Sequence, residues 1–131
     1  MSKSVRDNPP DSVRYAGFSE QDRYRTLYDD ITANGTVIHY VDRHALGELA
    51  VSLCQMDYLR QDINERGVAM EVEGDRARVT KRNPSLDAIQ RLYPVVMKLF
   101  GEFKMTPNSR GKNFSGTGET PGTKDDGFGE V

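Results

Sequence analysis

The chain has 131 residues, of which 36% are hydrophobic and 29% charged, with a formal net charge of −2. That apolar supply suits one small domain with tail left over, and it leaves a lone copy short of core, so self-association is the natural remedy. No apolar run approaches the roughly 20 residues of a membrane helix, Met1 to Pro10 has no signal-peptide core, and the single Cys54 excludes an internal disulfide; a cytoplasmic protein without a membrane partner is expected.

Residues 1–18 hold Asn8-Pro9-Pro10, Ser12 and Gly17 with few clustered apolar groups, which reads as a flexible arm. Residues 19–41 read as a short helical region. Ser19 has the form of an N-cap, with Asp22 three residues on. Tyr24, Leu27, Tyr28 and Ile31 then recur at helical spacing up to Asn34-Gly35. Thr36 to Tyr40 is β-branched and ambiguous. Asp42 is the expected cap of a long helix over about 43–65, striped by Leu46, Leu49, Leu53, Met56 and Ile63. Cys54 lies in this apolar stripe and reads as core filler rather than a nucleophile.

Gly67 closes that helix. Val68, Met70 and Val72, then Ala77 and Val79 across Glu73-Gly74-Asp75, alternate as a β-hairpin over 68–80. The alternation predicts one apolar face and one carrying Arg76 and Arg78. The alternative for these arginines is a solvated face paired with Glu71 and Glu73. Asn83-Pro84 is a helix start. Leu86, Ile89, Tyr93, Val96, Phe100 and Phe103 follow at 3-4-3-4-3 spacing, a seam made to pack on another helix. Pro94 should kink it. Lys104 to Pro107 reads as its end. Residues 108–131, rich in Gly, Ser, Thr and Asp, read as a disordered tail. The expected fold is mainly α: a short N-terminal helix, then a helical-hairpin core over 42–107 in which two long helices are joined by the β-hairpin. Each long helix has more apolar face than one antiparallel partner covers, so copies of the chain should bury the rest.

Charge is unevenly placed. Residues 76–112 carry nine basic residues against two acidic ones, a net of +7, and residues 113–131 a net of −3. The basic stretch suits a polyanion, and the acidic one a separate contact. Candidate phosphate ligands are Arg76, Arg78, Lys81 and Arg82 around the hairpin. Arg14, Arg23, Arg25 and Arg43 form a second group in the N-terminal region, where a helix-turn-helix-like unit is one reading, and Arg110 with Lys112 a third. Thr106 to Ser109 reads foremost as a helix stop. His39 and His44, five apart with no cysteine near, do not read as a metal site. No phosphate-binding Gly-rich loop or nucleophilic triad spacing appears, so neither cofactor nor catalysis is expected.

The run from Asn83-Pro84-Ser85-Leu86 to Lys104-Met105-Thr106-Pro107-Asn108-Ser109-Arg110 resembles the P27-like family of phage terminase small subunits. That family's pattern is Asn-Pro-Ala-Leu, a helix of fixed length, then Leu-Gly-Leu-Thr-Pro-x-Ser-Arg. The long helix ending Glu65-Arg66-Gly67 and the β segment with Glu73-Gly74 fit as well, so the resemblance covers about residues 42–112. Ser85 stands for the usual Ala and Lys104 for the usual Gly. Pro94 interrupts the helix interior, and the N-terminal arm has mixed charge. The resemblance implies a ring-shaped homo-oligomer of about nine copies in the host bacterial cytoplasm. That ring would recognise or clamp double-stranded viral DNA and regulate the large terminase subunit, which holds the ATPase and nuclease. The alternative from another class is a helical dimeric adaptor or antitoxin-like protein without a packaging role.

Overall fold

The computed structural model describes residues 4–115, with side chains to Gly111. The order is α1 (Asp11–Arg14), α2 (Phe18–Ala33), a 3-10 turn (Tyr40–Asp42), α3 (Arg43–Arg66), β1 (Ala69–Glu73), β2 (Arg78–Arg82), α4 (Pro84–Glu102) and α5 (Pro107–Ser115). It is mainly helical with one two-stranded antiparallel sheet. The 24-residue α3, about 36 Å long at 1.5 Å per residue, is the central element. α2 and α4 both pack along it. The core is Tyr24, Leu27 and Ile31 of α2, Leu46, Leu49, Ala50 and Met56 of α3, and Val96 of α4 with Phe103. Cys54 is buried there, its Sγ 3.7 Å from the Ser19 carbonyl, and burial pushes its thiol pKa up.

The N-terminal segment is not an arm. Val5, Pro10 and Val13 are buried. The buried Tyr24 hydroxyl donates to the Val5 carbonyl at 2.8 Å, and burial raises its pKa to about 12. Arg6 grips Asp29 through two bonds of 2.8 and 3.2 Å. Gly47 makes room for this segment, since a Cβ there would stand 2.4 Å from Pro10 Cγ. Three apolar residues without periodicity carry no helical signal, yet they fill one notch in α3. The Ser19 cap is also absent: α2 starts at Phe18 behind Gly17, with no side-chain cap bond. The Asp42 carboxylate accepts from His39 N at 2.9 Å rather than capping α3.

Gly67 ends α3 in a left-handed conformation, φ 90°, its N–H donating to Ile63 O at 2.7 Å. The hairpin follows with its second strand two residues later than the alternation suggests. The turn back into α4 is held by Asn83, which is fully buried. Its Oδ1 accepts from Ser85 N at 3.0 Å, its Nδ2 donates to Gly67 O at 2.9 Å, and its backbone N–H donates to Val68 O at 2.8 Å. Ser85 donates from Oγ to Asp62 Oδ2 at 2.6 Å, and Arg66 meets the same carboxylate at 2.5 and 2.7 Å. The end of α3, the base of the hairpin and the start of α4 are thereby tied into one knot of hydrogen bonds.

α4 continues through Pro94. Its end is not followed by an irregular tail. Lys104 takes φ 60°, the left-handed position where the family pattern of the resemblance has Gly. Thr106 and Ser109 then cap each other: Thr106 Oγ1 accepts from Ser109 N at 3.1 Å and Ser109 Oγ from Thr106 N at 3.2 Å. With Pro107 at the first helical position, Thr106-Pro-Asn-Ser109 starts α5 rather than stopping α4. The tail reading for residues 116–131 falls outside the described residues.

Three outcomes test this account. Asn83→Ala should cost about 1–2 kcal/mol, because it removes a cap and the bond to the part-buried Gly67 carbonyl; urea unfolding reads it as a lower midpoint at unchanged slope. Lys104→Gly should stabilise by about 0.5–1 kcal/mol, since only the lysine suffers at positive φ, read as a raised Tm. The Arg66 guanidinium, then the Ser85 hydroxyl, hold the Asp62 carboxyl well below the usual carboxylate range. Its stabilising contribution is therefore complete above its unfolded pKa of about 3.9 and is lost as pH falls below that. Ser85→Ala and Asp62→Asn should each flatten this acid limb in stability measured between neutral and acid pH.

Candidate nucleic-acid and assembly surfaces

The hairpin register sets its faces: Ala69 opposite Arg82, Glu71 opposite Thr80, Glu73 opposite Arg78, and, on the other face, Met70 opposite Lys81 and Val72 opposite Val79. Arg78 and Arg82 thus share a face with Glu71 and Glu73. Arg78 bonds Glu71 at 3.3 Å, and Arg82 lies 3.2 Å from Asp87. The two acids of β1 offset the two arginines, so this face offers little net charge. Arg76 lies in the turn between the strands, off the face predicted for it, and Lys81 lies on the Met70–Val72 face. Neither has an acidic partner among the described residues. β2 is exposed along its length.

The N-terminal arginines are mostly engaged. Arg14 pairs with Asp11 at 3.6 Å and Arg23 with Asp57. The Arg43 guanidinium sits 4.3 Å from the Tyr40 ring centroid and donates to Asn8 O at 3.5 Å, with Nε buried and unbonded. It fastens the N-terminal segment and is no surface ligand. Arg25 has no ion-pair partner among the described residues. Arg110 donates to the Lys104 carbonyl at 3.4 Å. The Lys112 side chain lies outside the described residues. Residues 4–66 sum to −4 and residues 67–112 to +4, so the two halves of the fold are oppositely charged. The cations with free heads lie mainly in the second half: Arg76 and Lys81, and on α4 Arg91 and Lys98, which sequence reasoning did not single out.

The seam of α4 divides. Val96 is 2% exposed and Phe103 is buried, while Ile89 and Phe100 are half-buried against the same core, all within one chain. Val96 and Phe103 are therefore spent on the chain's own core. Full burial of such a side chain is worth about 1.5–3 kcal/mol, while Ile89 and Phe100 keep part of their surface. Leu86 is half-buried, whereas Tyr93 is 52% exposed. At 3.6 residues per turn, Tyr93 and Met97 lie one turn apart on a flank of α4, Tyr93 about 60° round the helix from the buried Val96, whereas Lys98 and Arg91 lie about 140–160° from Tyr93 with Asp87 and Glu102 among them.

A second apolar surface lies between α2 and α3. Phe18, Ser19, Asp22, Arg23, Thr26, Cys54, Asp57 and Tyr58 line a groove of about 460 Å³. Phe18 is 75% and Tyr58 56% exposed. Both fall off their helices' apolar stripes; an aromatic outside the stripe was the signal available in the sequence. Among the described residues no group of three His, Cys, Asp or Glu is placed to hold a metal, and no helix is long and apolar enough to cross a membrane.

The family model for the small subunit of phage terminase matches residues 21–119. No curated protein and no solved structure matches the chain.

Proposed function

This chain belongs to the family of phage terminase small subunits and so has a role in phage DNA packaging, and on that premise we propose that it assembles into a ring, holds duplex DNA through phosphates, and regulates the large terminase subunit in the host cytoplasm. Membership sets aside the adaptor reading without a packaging role. The observation that carries the assembly is the exposed flank of α4. Tyr93 and Met97 stay exposed on a helix that packs along α3 through Val96, and an uncovered aromatic and methionine beside each other are typical of a buried interface.

DNA contact is assigned to Arg76 and Lys81, with Arg91 and Lys98 in support. Phosphate recognition needs positive charge at a reachable position and little else. Arg76 and Lys81 have both, on a hairpin that stands clear of the core. Arg78 and Arg82 are secondary, because acids already answer them. Arg14, Arg23 and Arg43 hold the fold, and Arg25 is the one N-terminal arginine left for DNA. A ring repeats each weak contact once per subunit, so modest single contacts add up. The subunit performs no reaction of its own: it hydrolyses no ATP alone and stimulates the large subunit that does.

Duplex-DNA affinity measured across a salt series tests this. Affinity should fall as salt rises. Arg76→Ala with Lys81→Ala should weaken binding and reduce the log–log slope by about two per subunit engaged, while Arg78→Ala with Arg82→Ala should do markedly less. Absence of binding at low salt, or the same loss from both pairs, would contradict the assignment.

A further inference from the structure

We propose that the groove between α2 and α3 is a binding site for an arginine side chain, presented by a basic segment of a partner polypeptide. The proposal goes beyond the packaging reading above and uses neither the hairpin cations nor the exposed flank of α4.

Two ridges build the groove. On α2, Phe18, Asp22 and Thr26 stand at i, i+4 and i+8 and so share one side of the helix, with Ser19 and Arg23 on the adjoining row. On α3, Cys54 and Tyr58 stand one turn apart, beside Asp57. Cys54 is buried, its Sγ 3.7 Å from the Ser19 carbonyl, and forms the floor. Phe18 on one helix and Tyr58 on the other are large aromatics left uncovered, at 75% and 56% exposure. At about 460 Å³ the groove has the size of a small-ligand site, with an apolar lining and few polar groups.

The charges select the ligand. Arg23 and Asp57 answer each other across the two helices. Asp22 has no ion-pair or hydrogen-bond partner among the described residues. The lining therefore carries one unanswered negative charge, within a part of the fold, residues 4–66, that sums to −4. That field repels phosphate, so the groove is no part of a DNA surface. A metal ion does not suit it either, because among the described residues no three His, Cys, Asp or Glu gather to hold one. A free carboxylate between exposed aromatic rings calls for an organic cation. Arginine fits best. Its planar guanidinium lies flat against a ring while donating two parallel bonds to a carboxylate, and its alkyl stem covers apolar surface. A polyamine would answer Asp22 but would leave Phe18 and Tyr58 without a planar partner.

Phe18→Trp supplies a reporter on the full chain, which has no tryptophan of its own, and keeps an aromatic ring in place. A Gly-Arg-Gly-Arg-Gly peptide with blocked ends should change its fluorescence saturably. The lysine equivalent should bind about tenfold more weakly, and the citrulline equivalent, which keeps the shape without the charge, should not bind. In the same background Asp22→Asn should weaken the arginine peptide about tenfold, as loss of a charge-assisted bond does, and Tyr58→Leu should weaken it severalfold. Asp30→Asn removes an exposed acid of α2 outside the groove and should leave affinity unchanged. All three sites are exposed, so circular dichroism should match the parent chain. No saturable change, or equal weakening by Asp22→Asn and Asp30→Asn, would overturn the site. Spermidine binding as tightly as the arginine peptide would make the occupant a free polyamine, and a fluorescence change on adding the wild-type chain alone would make it a second copy. Either result overturns the assignment to a partner polypeptide. Duplex DNA should leave the signal unmoved; a response to it would overturn the separation of this groove from the DNA surface.

Discussion

Asn83 decides which way α4 faces. With no exposure to water, its side chain caps α4 through Ser85 N and holds the last carbonyl region of α3 at Gly67, while its backbone closes the hairpin base at Val68. A buried amide with both ends bonded has one orientation, since turning it would strand a donor and an acceptor away from water. The Asp62–Arg66–Ser85 cluster reinforces the same corner from the α3 side. With this corner fixed, α4 runs back along α3 with Val96 inward and Tyr93 on an exposed flank.

That orientation has two consequences. The apolar seam of α4 is mostly consumed within the chain, so what remains for a neighbour is narrower than the whole seam: Tyr93 and Met97, with Pro94 and Gly101 beside them. The hairpin, tied at its base by Asn83 and exposed along β2, is left free to carry Arg76 and Lys81 outward.

The elements with strong periodicity or punctuation were legible in the sequence. α3, α4 and the Asn83-Pro84 start follow from 3-4 spacing and from cap chemistry, and the hairpin from alternation. What was illegible had non-local causes. Val5, Pro10 and Val13 have no period, and only the notch over Gly47 makes them a packed segment. Thr106-Pro107-Asn108-Ser109 reads equally as a stop and as a start; the mutual bonds of Thr106 and Ser109 decide for a start. For the site, alternation placed Arg78 but not its answer from Glu71, which depends on register. The residues of the α2–α3 groove, Phe18 and Tyr58, lie forty positions apart and are joined only by helix packing. Ser85, a departure from the resembled pattern, is explained by its bond to Asp62; Lys104, another departure, gains nothing visible for its unfavourable φ.

Family membership places the chain in phage DNA packaging. The central physical claim added to it is that one copy leaves an interface uncovered on α4 and that other copies cover it. Native mass spectrometry of the full wild-type chain, across a range of protein concentrations, addresses that claim most directly. A closed assembly gives one dominant stoichiometry above two that persists as concentration rises; a single chain at every concentration, or an open ladder of sizes, contradicts it.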